Sequence, residues 1–415
     1  MQDRPKNIII AAVSVFFAVL VLSSLVLSQN PSPSPSPTPQ KSKKSKPKLW
    51  GAVATSGDSM QGGVDVNSGS SGDQLEPPEE RNKGEFVIAP IPVINPTTEN
   101  GLAIGAGYLF HFDKKEQTKS PSVIGGVAFR TTNGTRGYGL GGMFRFKEDK
   151  YRLLVAGGDA TINLNFFGVG IDAGNAGISI PISLKARAFV VEGLVRVYEK
   201  WYVGPRYHFL KMKAGLNFDE GESAPDDGPV IPPLEVNLRT AALGPRIKRD
   251  TSSDAFYPRN GSIFDIKVGF YGKAVGGNRT YQSYEVSYNR YFALGKKQVI
   301  AGRLASCFIR GRVPFYDLCT MGLRGYEAGR YLDRNMLAGQ GEFRQELPWR
   351  LGVVGFFGIG EVAEKVSDFR SDKIRPAGGV GVRFRLTKKN HINMRLDYAW
   401  GIRSSGLYVG VTEAF

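Results

Sequence analysis

The sequence predicts an all-β fold, a transmembrane antiparallel β-barrel of about 16 strands, and three observations lead to this class. First, strand-length segments after residue 84 alternate apolar and polar side chains, the period of a β-strand. Second, the polar faces carry Arg, Lys, Asp and Glu, which a dry core accepts only at high energetic cost. Third, the mean hydropathy of −0.20 over 415 residues excludes a bundle of membrane helices.

The first 28 residues are predicted to form a signal peptide. Arg4 and Lys6 precede an apolar stretch from Ile8 to Leu27, and the small residues around Ser28 suit a cleavage site. The apolar stretch is long for a signal peptide, so an uncleaved anchor helix is the alternative.

Residues 29–84 are predicted to be a disordered linker. The segment PSPSPSPTP at 31–39 favours extended polyproline II, and KSKKSKPK at 41–48 is a basic tract. Residues 51–84 are rich in Gly, Ser, Asp and Glu and have no periodicity. The barrel is therefore expected to occupy residues 85–415.

Strand candidates follow one another through the rest of the chain. The segment His391–Trp400 alternates most strictly, because Leu396 and Tyr398 fall on one face while Arg395 and Asp397 fall on the other. The candidates lie near residues 85–93, 102–112, 123–130, 137–146, 151–162, 183–197, 201–216, 234–249, 262–271, 281–293, 298–310, 338–347, 351–361, 378–386, 390–401 and 405–415. The longest stretches between them are 163–182, 217–233 and 311–337, and long loops of this kind are usually functional or disordered.

The last of these stretches and the strands after it carry a family resemblance. The matching residues are Arg324-Gly325-Tyr326, then Gly329, Tyr331 and Asp333, then Gly341-Glu342-Phe343-Arg344, and upstream Asp250-Thr251, Phe256, Tyr257, Pro258 and Gly261. In order and spacing they resemble the bacterial surface-antigen superfamily of outer-membrane barrels, which includes BamA and TamA. The resemblance runs from about residue 240 to the end of the chain.

The resemblance implies a sixteen-stranded barrel with a lid loop that folds into the lumen. It implies that Arg324, in the lid-loop motif with Gly325 and Tyr326, meets the acidic side chain of Glu342. The family's second acidic position corresponds to Gly358 here, so only one acidic partner is expected. The alternative is that Arg324 merely anchors a plug loop. Between the predicted signal peptide and the barrel, nothing has the length or periodicity of a POTRA domain, so a barrel-only member is expected.

Cys307 and Cys319 are the only cysteines, and both are expected to face the lumen. The sequence leaves open whether they form a disulfide or two buried free thiols. No metal-ligand spacing surrounds them, and no cofactor motif is present. The three histidines belong to no recognisable catalytic motif, so an enzyme is not expected.

Two functions follow for a barrel in the bacterial outer membrane. The first is protein assembly or translocation through a weak seam between the first and last strands, because Pro90 and Pro92 cannot donate to a ladder. The alternative is a passive channel or structural barrel gated by the 311–337 loop. The expected partners are outer-membrane lipid together with unfolded outer-membrane proteins or other assembly components. No motif supports nucleic-acid binding, although the net charge is +16.

Overall fold

Sixteen strands form one antiparallel sheet in the computed structural model, and each strand pairs with its neighbour in sequence order. The structure describes residues 84–112, 121–216, 238–254, 256–386 and 391–415. The all-β barrel predicted from the sequence is therefore confirmed. The predicted signal peptide and all of the predicted linker except Gly84 lie outside the described residues. Among the residues described, no helix has the length and apolar character needed to cross a membrane.

The bounds of the elements agree closely with the strand candidates. The barrel strands are β1 (Glu85–Asn95), β2 (Glu99–Phe110), β3 (Ser122–Thr131), β4 (Arg136–Phe146), β5 (Tyr151–Phe166), β6 (Ile180–Tyr198), β7 (Trp201–Leu216), β8 (Leu238–Asp250), β9 (Gly261–Tyr271), β10 (Tyr281–Ala293), β11 (Gln298–Gly311), β14 (Asn335–Glu346), β15 (Leu351–Ala363), β16 (Arg375–Arg385), β17 (Asn393–Gly401) and β18 (Ser404–Val411). Two short strands, β12 (Cys319–Thr320) and β13 (Leu332–Asp333), pair with each other. A short helix, α1 (Ile171–Ala176), lies between β5 and β6, and 3-10 helices cover Lys273–Val275, Phe315–Asp317, Val366–Asp368 and Ser371–Lys373.

The two faces of the wall differ as the alternation predicts. In β16, Val380 and Val382 are 57% and 47% exposed, whereas the next residue, Arg383, points to the opposite face and is 3% exposed. The same contrast places Leu396 outside and Asp397 inside on β17. An apolar outer face suits lipid, and a polar inner face suits a hydrated lumen.

Consecutive antiparallel strands place successive connections at opposite ends of the barrel. We call the end that carries Glu85 and the chain after β18 the base. Short turns such as 147–150, 294–297 and 347–350 lie there. The opposite end, the crown, carries longer connections, including 167–179, 312–334 and 364–374.

The seam between β1 and β18 differs from every other junction in the sheet. The two strands lie side by side. Among the described residues, however, no strand pairing joins them. β18 has 8 residues, whereas β6 has 19. Pro90 and Pro92 in β1 have no N–H group, so they cannot donate to a neighbouring strand.

The sequence misplaced one residue at the base. Ile392 belongs by parity to the lipid-facing set of β17, but it precedes the strand and is 0% exposed. The preceding residue, His391, has a φ of 47°, a left-handed conformation that breaks the extended alternation. The side chain of Ile392 therefore joins an apolar cluster instead of facing lipid.

The core of the molecule lies within the lumen rather than behind a second sheet. Inward side chains of β5, β6 and β7 form one apolar cluster, against which Phe315, Tyr316 and Leu318 pack. A second cluster joins the same loop to the strands near the seam, and its members are Ile171, Met321, Leu323, Tyr326, Tyr331, Val362 and Ala377.

Candidate functional site

The connection between β11 and β14, residues 312–334, packs against the inner wall, and we call it the crown loop. Tyr326 and Tyr331 in this loop are 1% and 2% exposed, although loop residues are usually exposed. The two rings meet edge to face, with centroids 5.1 Å apart. Apolar and aromatic packing therefore holds the loop in place in addition to its polar contacts.

Arg324 of the crown loop binds two carboxylates on the inner wall. Its Nη2 contacts Oε1 of Glu342 on β14, and its Nη1 lies 2.6 Å from Oδ2 of Asp397 on β17. Its guanidinium carbon also lies 3.6 Å from the ring centroid of Phe356 on β15. Glu342 and Asp397 are 3% and 0% exposed, so these ion pairs are well shielded from water.

Asp397 is a partner that the sequence reasoning did not assign. The family's second acidic position corresponds to Gly358, which has no side chain to pair with Arg324, so a single acidic partner was expected. A Cβ at Gly358 would lie 2.9 Å from Leu323 Cδ2, so the crown loop occupies the space there. The inward parity of Asp397 on β17 was the available signal, but parity alone does not say which loop residue reaches it.

The next two motif residues hold the loop against β16, β17 and β18. Gly325 has a φ of 114°, and a Cβ there would approach the carbonyl of Trp400 to 2.8 Å. Glycine is therefore required both by its backbone conformation and by the close approach. Tyr326 donates its hydroxyl hydrogen to the carbonyl of Pro376 and accepts a hydrogen bond from the amide of Ile402.

Arg324 belongs to a larger network, which we call the central charge cluster. Its members are Arg324, Glu342, Arg344, Arg383, Arg395, Asp397 and Glu413. Arg383 joins two of the acids, because Nη1 lies 2.5 Å from Asp397 and Nε lies 2.8 Å from Glu413. Arg344 Nη2 lies 2.8 Å from Glu342 and also donates to the main-chain oxygen of Phe415. Such networks are stable only when their charges are mutually satisfied.

A disulfide attaches the crown loop to β11. Cys307 on the strand and Cys319 in β12 are bonded, with their Cα atoms 5.8 Å apart. Cross-linking residues 12 positions apart restricts the unfolded chain, which contributes about 2–3 kcal/mol of stability in the loop-entropy model.

A partly buried acid lies near the start of the crown loop. The hydroxyl of Tyr281 donates to the carboxylate of Asp317. Burial raises the pKa of Asp317 to about 6, because desolvation disfavours the charged form. The Tyr281 hydrogen bond opposes this rise in pKa, Glu285 adds to it, and Arg206 opposes it.

The crown loop contacts both sides of the seam. On the β18 side, the amide of Gly325 donates to the hydroxyl of Tyr408 over 2.7 Å. On the β1 side, the amide of Ala328 donates to Oγ1 of Thr97, in the turn that follows β1, over 3.2 Å. The loop therefore bridges the crown end of a seam that has no backbone ladder among the described residues.

A second connection reaches the seam at the base. Residues 251–260, which we call the base strap, join β8 to β9. Phe256 of the strap packs against a cluster formed by Leu109 and Val123, from β2 and β3, and by Ile392, which precedes β17. Ala89 of β1 and Val411 of β18 pack against the same cluster. Apolar side chains from both sides of the seam thus meet at the base.

One cavity lies at the crown. Its volume is about 510 Å³, it is bordered by α1, the crown loop and the 364–374 connection, and it includes Asp172, Asp333 and Lys373. Within the described ranges, no group of His, Cys, Asp or Glu side chains is arranged to hold a metal ion. The polar contacts of the lumen fix loops in place, and their geometry suits a structural or gating role.

Comparison with known proteins gives one family and a set of similar folds. Residues 235–410 match the Omp85 superfamily domain. Similar solved structures include BamA from Haemophilus ducreyi lacking POTRA domains 1–3, at 15% identity and a TM-score of 0.49, with 79% of this chain and 69% of that chain covered. They also include CdiB from Acinetobacter baumannii, at 12% identity and a TM-score of 0.50, with 79% and 59% covered. This chain thus spans less than two thirds of CdiB, and the likeness concerns the fold alone. No curated protein matches the sequence.

Proposed function

We propose that this chain, whose residues 235–410 match the Omp85 superfamily domain, is an outer-membrane β-barrel of that superfamily and that it assembles or translocates other proteins through the seam between β1 and β18. The observation that carries the proposal is the absence of a backbone ladder between these two strands in the described part of the chain.

An unpaired strand edge offers a row of N–H and C=O groups to another chain. Within lipid, such groups cost several kcal/mol each when they have no partner. An incoming strand can satisfy them by adding to the edge. β18 is the shortest strand of the barrel, and Pro90 and Pro92 weaken the pairing of β1. We therefore expect the β1–β18 seam to separate more easily than any other strand junction and to pair with an incoming strand.

Side-chain contacts close the seam in the resting barrel. Tyr408 and Thr97 bind the crown loop, and Phe256 packs against the cluster at the base. These contacts can be released without breaking a continuous ladder. We therefore expect the seam to open when a client displaces the crown loop or the base strap.

The partners follow from the position of the seam in the membrane. The base, with its short turns, is expected to face the periplasm, as in other outer-membrane barrels. Unfolded outer-membrane proteins would then approach from the base, and outer-membrane lipid would cover the apolar outer face. Other assembly components would bind the exposed base turns.

The test is the level of folded outer-membrane proteins after this protein is depleted in its own host. We expect a broad fall in folded barrels, which re-expression of the wild-type chain restores. Unchanged levels of folded barrels would contradict the assembly proposal.

A passive channel gated by the crown loop is the second candidate, favoured by arginines on the inner face such as Arg383, Arg385 and Arg395. Its test replaces residues 312–334 by a short Gly-Ser linker and measures conductance in a planar bilayer. A large anion-selective conductance in the host's own ionic conditions, without loss of other barrels on depletion, would favour the channel over the assembly proposal.

A further inference from the structure

A small cavity lies on the base side of the central charge cluster. Its volume is about 10 Å³, close to the minimum that holds one water molecule, and it is bordered by long arginine side chains that can move apart. It is bordered by side chains of β14, β15 and β16 and by the base strap. The lining residues that matter here are Tyr257, Arg344, Glu346, Arg350, Arg383 and Arg385.

The charges around this cavity are unbalanced. Four arginines line it, and Glu346 is the one carboxylate among the lining residues. Glu346 already accepts from Arg259 over 3.0 Å and from Arg385 over 2.9 Å. Its charge is therefore shared between two guanidinium groups. Arg344 and Arg383 bind Glu342, Asp397 and Glu413 instead, but they share these three carboxylates with Arg324 and Arg395. The arginines around the cavity therefore outnumber the carboxylates that bind them.

Two of the lining arginines have donors without an acceptor. Arg344 and Arg383 are 1% and 3% exposed. Their other nitrogens bind Glu342, Asp397 and Glu413, but Arg344 Nη1 and Arg383 Nη2 have no hydrogen-bond partner in the part of the chain that the structure describes. A buried charged donor without an acceptor is costly, so an acceptor in the adjoining cavity would stabilise both groups.

We propose that this cavity binds one small inorganic anion of the chloride class. A monovalent anion accepts from both guanidinium groups and offsets the excess positive charge, whereas a water molecule can accept the same hydrogen bonds but offsets no charge. The small volume excludes larger anions such as gluconate. The bound anion would hold β14 and β16 together beside the base strap, and this role does not depend on the proposed function of the seam.

The chain offers a matched pair of variants that test the site without removing a charge. Gly352 lines the cavity, and a Cβ there would lie 3.4 Å from Arg383 Cβ and 3.2 Å from the carbonyl of Gln345. Gly352→Ala therefore fills space that the anion needs. Gly355 lies on the same strand, where a Cβ meets nothing within 4 Å, so Gly355→Ala is the control.

The experiment compares thermal unfolding of the full chain in detergent with chloride and with gluconate at equal ionic strength. We expect chloride to raise the Tm of the wild type and of Gly355→Ala by a few degrees, and to lose this effect in Gly352→Ala. An equal chloride response in Gly352→Ala, or no response in the wild type, would overturn the proposal and leave a water in the cavity.

Bromide locates the site if Gly352→Ala does not fold. Crystals of the wild-type protein grown in bromide should give an anomalous scattering peak between Arg344 and Arg383. Bromide peaks elsewhere, with none at this position, would overturn the proposal.

Discussion

Arg324 shows how one side chain can hold a loop against a barrel wall. Its guanidinium group binds Glu342 and Asp397 and lies over the ring of Phe356. Both carboxylates are buried, so neither has water as an alternative partner. A buried charge that loses its partner is strongly destabilising, whereas an exposed ion pair contributes little.

Replacement of Arg324 by alanine should therefore destabilise the barrel. We expect Arg324→Ala to lower the free energy of unfolding by about 1.5–3 kcal/mol, because Glu342 and Asp397 each lose one charged hydrogen bond but keep Arg344 and Arg383 as partners. The measurement is urea-induced unfolding in detergent, followed by heat-modifiable migration on a gel.

The control for this prediction is an ion pair of the same chemistry at the surface. Arg370 lies 3.0 Å from Asp372, and their side chains are 65% and 62% exposed. We expect Arg370→Ala to change stability by about 0–1 kcal/mol. Equal losses in the two variants would show that burial of the carboxylates does not matter.

At the scale of elements, the crown loop is held on two sides. The disulfide binds it to β11, and the Arg-Gly-Tyr motif binds it to the strands from β14 to β18. The two attachments lie at different positions along the loop. Loss of one should therefore loosen part of the loop and leave the other part in place.

The disulfide can be tested by replacing both cysteines. We expect the double variant Cys307→Ala and Cys319→Ala to lower the free energy of unfolding by about 2–3 kcal/mol, because the unfolded chain gains freedom. It should also become sensitive to protease near residue 319. The wild type under reducing conditions should behave in the same way, and full protease resistance in both would refute the tether.

The stability of the crown loop should also depend on pH through Asp317. The pKa of Asp317 is about 6 in the folded protein and near 3.8 in the unfolded chain. Between these values the unfolded chain releases a proton that the folded chain keeps, so stability falls as the pH rises, by up to about 1.4 kcal/mol per pH unit. Below pH 3.8 and above pH 6 this contribution should be constant.

The pH prediction is checked by urea unfolding midpoints across that window. Asp317→Asn keeps the size of the side chain and removes the titration, so the difference between variant and wild type should grow from pH 4 to pH 6. Parallel curves for the two proteins would contradict the prediction.

At the scale of the whole molecule, contacts from inside the lumen close the seam. The crown loop reaches both sides at one end, and the cluster around Phe256 reaches both sides at the other. The base strap arises between β8 and β9, on the opposite side of the sheet from β1 and β18. Closure of the seam is thus a property of the entire barrel and not of two strands.

Loss of the Phe256 contact should loosen the seam. Spin labels at Ile88→Cys and Leu407→Cys, which are 56% and 38% exposed, report the distance across it. The native cysteines form a disulfide and do not react. We expect Phe256→Ala to broaden the distribution of label-to-label distances towards longer values, because the apolar cluster at the base loses the phenyl ring that packs against it.

The control for the seam measurement is another buried aromatic contact far from it. Phe315 packs against Phe166, with ring centroids 5.0 Å apart, in the cluster of β5, β6 and β7. Phe315→Ala should leave the distances across the seam unchanged. If both variants broaden the distribution equally, Phe256 has no special role in closing the seam.

The sequence alone determined the number and order of the strands and the direction in which most side chains point. These features follow from a period of two, which is local and survives in any strand. The pairing of Arg324 with Glu342 was implied by the family resemblance and not by any periodicity, and the two side chains are in contact in the structure.

Only the tertiary structure decided which distant groups meet in the lumen. Asp397 and Arg324 are 73 residues apart, and Phe256 reaches the seam from the far side of the sheet. The backbone turn at His391 redirects Ile392 from lipid into a cluster that no periodicity indicates. Such contacts depend on the register of every strand pair and on how the sheet closes into a barrel. Both are properties of the whole sheet, so a local sequence pattern cannot specify them.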